Sequence, residues 1–220
     1  MMRTHTTTEL IAKEGWKYVG VSFLFFLISF CVGYLEWVFL IVFLSTAYLY
    51  RNFERIPAED DKLALLAPAD GKIIDISKVI LQDKAEFLKV EIAKSIADAS
   101  LLRSPILANI SGTKRIHGLF LDTQSSLGKK LNERAILTLE SSLKPIIIIV
   151  TAGFFSRSVE LFKSVGPLKF AQRFGVLLDG NVELLLPIDT RIKVSLGDSV
   201  RAGESVLGYF SYGITNGTQQ

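Results

Sequence analysis

The chain has 220 residues, 49% hydrophobic and 21% charged, with 6 prolines, a net charge of +3 and a mean hydropathy of +0.36. That balance excludes a disordered, collagen-like or linker-dominated chain, and the length suits one medium domain with an appendage, or two small domains. The small net charge and the lack of a long basic run argue against nucleic acid as a partner, while suiting a modest attraction to anionic lipid.

Residues 1–17 read as an N-terminal flank carrying Arg3, Lys13 and Lys17. From Tyr18 to Tyr50 there is no Lys, Arg or Asp, and the one charge is Glu36. Gly33-Tyr34-Leu35-Glu36-Trp37 splits this stretch into apolar runs of about 18 and about 13 residues, against about 20 needed for one spanning helix. A transmembrane or re-entrant helical hairpin over residues 18–50, with Glu36 at its turn, is the expectation. Trp16, Tyr18, Trp37, Tyr48 and Tyr50 fall at the run ends, where amphipathic rings prefer an interface. The stretch is too long for a signal peptide and no small-residue cleavage site follows it. Cations on both flanks, Lys13 and Lys17 before and Arg51 and Arg55 after, predict a membrane location with both ends, and the bulk of the chain, on the cytoplasmic face. The single cysteine, Cys31, lies inside the apolar stretch, which excludes an internal disulfide and a cysteine-based zinc site. With His5 and His117 the only histidines, no metal is expected.

Residues 51–62 read as a connector and residues 63–210 as a β-rich domain, followed by a tail over 211–220. Short apolar segments recur between turn signals: Ile73, Ile74 and Ile76 after Asp70-Gly71, Ile146 to Val150 after Pro145, and Val182 to Leu186 between Asp179-Gly180-Asn181 and Pro187. Helical spacing recurs only between Ile92 and Leu102. Asp179-Gly180-Asn181 reads as a hairpin turn, since Gly and Asn accept left-handed φ. The predicted fold is mainly β, a sandwich or barrel-like cytoplasmic domain and α+β overall, behind an N-terminal transmembrane helical hairpin. Glycines at turn-like intervals from Gly197 to Gly208 suit strands folding over one another, but no lysine at a hairpin tip follows to carry biotin or lipoate.

Several segments, in order, resemble the short form of phosphatidylserine decarboxylase. Tyr50 to Pro57 is similar to that family's Phe-Arg-Asp/Asn-Pro-Glu-Arg segment, and Ala67-Pro68-Ala69-Asp70-Gly71-Lys72 to its Ser-Pro-Ala-Asp-Gly-Lys. Ile92 to Pro105 falls in register with its Ser-Pro-Phe-Asp-Val-His-Val-Asn-Arg-Ala-Pro, keeping Ser95, Asp98, Arg103 and Pro105. Gly118-Leu119-Phe120, Asn132-Glu133-Arg134, Ala152-Gly153, Arg173-Phe174-Gly175, Leu186-Pro187, and Gly197-Asp198 through Gly203-Glu204 continue the series. The resemblance implies phosphatidylethanolamine metabolism, a phospholipid membrane and phosphatidylserine as partners, and a homodimer. It also implies chemistry in which the chain cuts itself at a Gly-Ser bond, the serine becoming a pyruvoyl group that acts as electron sink. Self-cleavage needs the serine hydroxyl to attack the preceding carbonyl, assisted by a histidine that an aspartate orients.

By this resemblance Asp70 is the retained aspartate, Ser100 stands in place of the histidine, and Gly180-Asn181 stands in place of the Gly-Ser pair. Residues 165–194 hold no Ser, Thr or Cys except Thr190, beyond Pro187, and a threonine would give a ketobutyryl group instead. The expectation is therefore a membrane-anchored family member without pyruvoyl formation, a non-catalytic homologue that holds lipid or a partner. No cofactor is expected, with pyruvoyl the exception were the chain processed after all. An active decarboxylase with an atypical processing site and a membrane-tethered assembly scaffold are the alternatives. Ordinary structural roles suit the remaining singular residues: His117 as a surface or sheet-edge histidine, Asp70 as the holder of its own turn, and Gly112-Thr113 as a turn.

Overall fold

A computed structural model describes residues 15–51, 55–58, 61–81, 85–156 and 158–211. The apolar stretch forms two helices, α1 (Trp16–Val32) and α2 (Glu36–Leu49). Gly33 closes α1 in the left-handed conformation (φ 71°), donating its N–H to Ser29 and Phe30, and Leu35 (φ 58°) starts α2. The chain thus reverses, and Phe23 and Phe43 meet with ring centroids 5.3 Å apart, as do Phe25 and Phe39 at 6.1 Å.

This corrects the expected transmembrane hairpin. Among the described residues no helix is long and apolar enough to cross a membrane. The break at Gly33–Leu35 divides the apolar residues into helices of 17 and 14 residues, about 25 Å and 21 Å long at 1.5 Å per residue, against about 30 Å of hydrocarbon.

The rest of the described chain is mainly strand. In order come β1 (Ala64–Leu66), β2 (Gly71–Ile80), β3 (Glu86–Lys94), β4 (Leu101–Arg103) and β5 (Ala108–Ile116). A short helix, α3 (Ser126–Leu131), precedes β6 (Arg134–Glu140), β7 (Ile146–Ala152), β8 (Glu160–Leu161), β9 (Gly166–Leu168) and β10 (Arg173–Val176). β11 (Gly180–Pro187), β12 (Arg191–Ile192), β13 (Ser199–Val200) and β14 (Val206–Tyr209) complete the series. Eight strands make one antiparallel sheet in the order β13-β2-β3-β11-β7-β6-β5-β9, and two three-stranded sheets, β1-β14-β12 and β4-β10-β8, accompany it.

Alternation explains the core. On β7, Ile146, Ile148 and Val150 are fully buried while Ile147 and Ile149 lie on the other face, and Val182, Leu184 and Leu186 of β11 join the buried set. β11 lies between β3 and β7, so both its edges are paired along most of its length.

Two further expectations are corrected. Residues 92–102 are not helical: Ile92 to Lys94 end β3, Ser95–Asp98 is a tight turn closed by Asp98 N–H to Ser95 O (3.0 Å), and Leu101 begins β4. The apolar spacing there is outweighed by pairing of β3 on both sides. Asp179-Gly180-Asn181 is not a hairpin turn either, because β10 and β11, which it joins, belong to different sheets. Gly180 and Asn181 are the first residues of β11, paired with Lys94 and Ala93 on β3 and with Ala152 and Thr151 on β7.

Candidate functional site

Gly180 has φ 145°, and a Cβ there would lie 2.1 Å from the Thr151 carbonyl oxygen. Glycine is what lets β11 start this close to β7. On the sheet pleat Gly180 is in phase with Val182 on the core side, whereas Asn181 is in phase with Glu183 on the opposite side. The peptide between them therefore separates two polar clusters.

On the Asn181 side the carboxamide is buried and engaged at both its oxygen and its nitrogen. Its oxygen accepts from the Thr123 hydroxyl (3.0 Å) and its nitrogen donates to Glu91 Oε1 (2.6 Å). Lys89 donates to Glu91 Oε2 at 3.1 Å and to Asp75 Oδ2 at 2.7 Å, and Lys129 approaches Glu91 at 4.0 Å. Burial and the neighbouring Glu91 charge push the Glu183 carboxyl up, Lys89 and other cations offsetting them in part. The hydrogen bond from Lys89 holds the Asp75 carboxyl below the usual range. Burial pulls against the Lys89 ammonium, but its bonds to Asp75 and Glu91 leave it above its ordinary value.

On the other side stands Asp70, just ahead of β2. Arg55 grips both its carboxylate oxygens, Nη2 to Oδ2 at 2.6 Å, and the Ala202 N–H donates to Oδ1 at 2.8 Å. Burial alone would raise the Asp70 carboxyl; the Arg55 and Ala202 hydrogen bonds and the charges of Arg55 and Lys94 outweigh it and hold the group low. Arg103 N–H donates to Pro68 O (2.8 Å), bringing β4 beside the Asp70 segment, and burial among Arg55 and Arg173 lowers Arg103 to about 10.

Ser100 is buried just before β4; its carbonyl accepts from Leu177 N–H (2.9 Å), and its hydroxyl has no hydrogen-bond partner among the described residues. Between Asp70 and Asp179, whose charges both act on it, lies a residue the sequence reading missed, Lys94. Its ammonium is buried and donates to the carbonyls of Ser95 (3.1 Å), Asp98 (3.2 Å) and Leu178 (3.2 Å). Burial lowers it to about 8, against the opposing pull of Asp98, Asp70 and Asp179. The signal was present: Lys94 shares the strand phase of Val90 and Ile92, where a core residue is due.

The predicted residues are therefore only partly brought together. Asp70 lies within reach of the Lys94 charge and Ser100 is held by Leu177, while the Asn181 side chain turns away to Thr123 and Glu91. Asp179, adjoining Gly180, is fixed by Ser156, whose hydroxyl donates to the Asp179 carbonyl (2.6 Å) and accepts from its N–H (2.8 Å). His117 is on the surface, its Nδ1 3.4 Å from Glu133 Oε2. Gly112 and Thr113 lie within β5, not in a turn, and the Thr113 hydroxyl donates to Ser164 O (2.6 Å). Thr190 is buried with its hydroxyl unpartnered among the described residues. Also among these residues, no three His, Cys, Asp or Glu side chains are grouped to hold a metal ion.

Comparison with known proteins adds the family. The family described as phosphatidylserine decarboxylase matches residues 43–208. A phosphatidylserine decarboxylase proenzyme of Desulfotalea psychrophila is 34% identical over 205 residues, covering 90% of this chain and 95% of the relative. Proenzymes of the same name from Ehrlichia chaffeensis (32% over 206 residues, 90% and 91% covered) and Burkholderia cenocepacia (30% over 207 residues, 90% and 95% covered) are also similar.

Proposed function

Since the chain belongs to the phosphatidylserine decarboxylase family, we propose that it is a lipid-surface member of phospholipid metabolism that remains one uncut chain and holds aminophospholipid, or a partner enzyme, without decarboxylating it. The observation that carries this reading is Asn181. A pyruvoyl group arises from a serine whose hydroxyl attacks the carbonyl before it, and Asn181 brings a carboxamide to that place, both ends of it already bound by Thr123 and Glu91. The residues present do not fit the group. Ser100 in place of a histidine, and Asp70 gripped by Arg55, point the same way.

The hairpin supports the lipid-surface part. α1 and α2 are apolar on all sides and exposed, with Val32 at 72%, Trp37 at 71% and Ile41 at 63%. A helix of that kind is stable buried in a core or in lipid, and these two enter a bilayer from one side without crossing it. Tyr18 stacks on Tyr50 at 5.4 Å and closes the hairpin base, and the cations next to these two rings in sequence, Lys17 and Arg51, favour a base on the cytoplasmic side.

Intact mass of the purified chain tests the reading: one species near 24.4 kDa, inert toward labelled phosphatidylserine yet bound to vesicles containing it, is expected. The relatives' names favour an active decarboxylase instead, which requires two pieces and a keto-blocked amino terminus. Either finding would refute the proposal.

A further inference from the structure

A second apolar feature lies at the same end of the sheets as the hairpin base. Phe154 and Phe155 form an edge-to-face pair with centroids 5.2 Å apart, and both are exposed, at 67% and 56%. The loop that carries them is fixed: Gly153 N–H donates to Asp179 O (2.9 Å) and Phe155 N–H to Asp179 Oδ2 (3.3 Å). Exposed aromatic rings on a fixed loop lose little conformational freedom when something covers them.

Beside this loop runs the segment around α3. Asn132, at the end of α3, donates from its side chain to Ala152 O (2.9 Å), and Leu119 N–H donates to Leu131 O (2.8 Å). Leu127 and Leu131, four residues apart on one helix face, and Leu119 are all about half exposed. Lys129 and Lys130 flank them and outweigh Asp122, the one acidic side chain in residues 117–132.

The two features are linked through the site. Arg51, at the hairpin base, donates to Ala97 O (2.7 Å); Lys94 joins the adjoining Asp98 carbonyl to that of Leu178; and Asp179 carries the Phe loop. We propose that Phe154, Phe155 and the leucines around α3 form a second lipid-contacting surface, which with the hairpin lays the Asp179–Gly180 end of the sheets against an anionic phospholipid bilayer. This rests on the lipid-surface reading of the hairpin. An anionic bilayer is the occupant because the patch is tied through Ala97, Lys94 and Asp179 to the base of a hairpin that is apolar on all sides, and because Lys129 and Lys130 flank its leucines.

Cys31, exposed in α1 and the only cysteine, provides an internal control. The full chain is labelled with an environment-sensitive fluorophore at Cys31, at position 154 of C31S/F154C, or at position 80 of C31S/I80C. Ile80 is exposed at the far end of β2. Vesicles of phosphatidylcholine, with or without phosphatidylserine, are then added. Blue-shifted emission and quenching by a lipid-borne quencher are expected at 31 and 154 but not at 80, more strongly with phosphatidylserine. F154S/F155S should weaken binding to the anionic vesicles by about tenfold or more. A response at 31 without one at 154 overturns this inference and leaves the hairpin reading standing. Silence at both sinks the hairpin reading as well. An equal response at 80, or a shift at 154 that rises with protein concentration without vesicles, would mean adsorption or self-association and also overturns the inference.

Discussion

At the residue scale, Asn181 acts as a buried bridge between β11 and the loop carrying Thr123. Asn181→Ala leaves Glu91 Oε1 without its carboxamide donor, Lys89 remaining on Oε2, and the Thr123 hydroxyl without its acceptor, which should cost about 1–3 kcal/mol in urea unfolding. Asn181→Asp sets a second carboxylate against Glu91; it should be less stable than Asn181→Ala at pH 7, with the gap closing as pH falls toward 4. Asp70 predicts the opposite slope. Its folded pKa is held low, so its stabilisation is present above the unfolded value of about 3.9 and fades as pH falls through the lower folded value. Asp70→Asn should flatten that acid limb of stability against pH. Both positions were visible in the sequence as family matches or departures. Their partners were not, because Arg55, Thr123 and Glu91 meet them only through contacts distant along the chain, and such contacts leave no local spacing to read.

Elements behave differently, because short periodicities are local and pairing is not. The two helices were legible from the apolar stretch whose one charge is Glu36, and so was the break at Gly33. Their lengths set the limit on crossing, which apolarity alone did not reveal. β7 was legible from Ile146 to Val150, where β-branched side chains alternate between faces. The segment from Ile92 to Leu102 misled because its apolar residues fit a helical period while strand neighbours on both sides, β2 and β11, decide its state. The start of β11 misled in another way: Asp-Gly-Asn is turn chemistry, yet here the glycine serves close strand approach. Gly180→Ala tests this. With φ 145° and a Cβ 2.1 Å from the Thr151 oxygen, the variant should lose the β11–β7 ladder at that end and fall well below the stability of Leu196→Ala, an exposed control, in thermal melts followed by circular dichroism.

For the whole molecule, the sheet order is what the sequence conceals. The β2–β3 and β6–β7 pairs are neighbours in the chain, but inserting β11 between β3 and β7 pairs Asn181 with Ala93, about ninety residues before it, as well as with Thr151, about thirty before it. The hairpin meets the sheets through a narrow base, and Tyr50 is its centre. It packs on Leu101 and Val176 and stacks on Tyr18 at 5.4 Å, while Tyr48 and Arg51 donate to Ala97 O. Burial first, then Tyr18 and Glu160, push the Tyr50 hydroxyl up to about 12. A group raised on folding lends stability that is complete below its unfolded pKa, about 10, and is lost as pH climbs through the folded value. The hairpin base should therefore hold at neutral pH and loosen between about pH 10 and 12, where ionising Tyr50 would place a phenolate against the apolar pair Leu101 and Val176. Phenolate absorbance should show one tyrosine titrating well after the others, with the Cys31-labelled hairpin gaining rotational freedom in the same range. Tyr50→Phe should remove that late phase and leave hairpin rotation insensitive to pH up to 12. If the late phase persists in Tyr50→Phe, a different tyrosine carries the shift and the hairpin is held by other contacts.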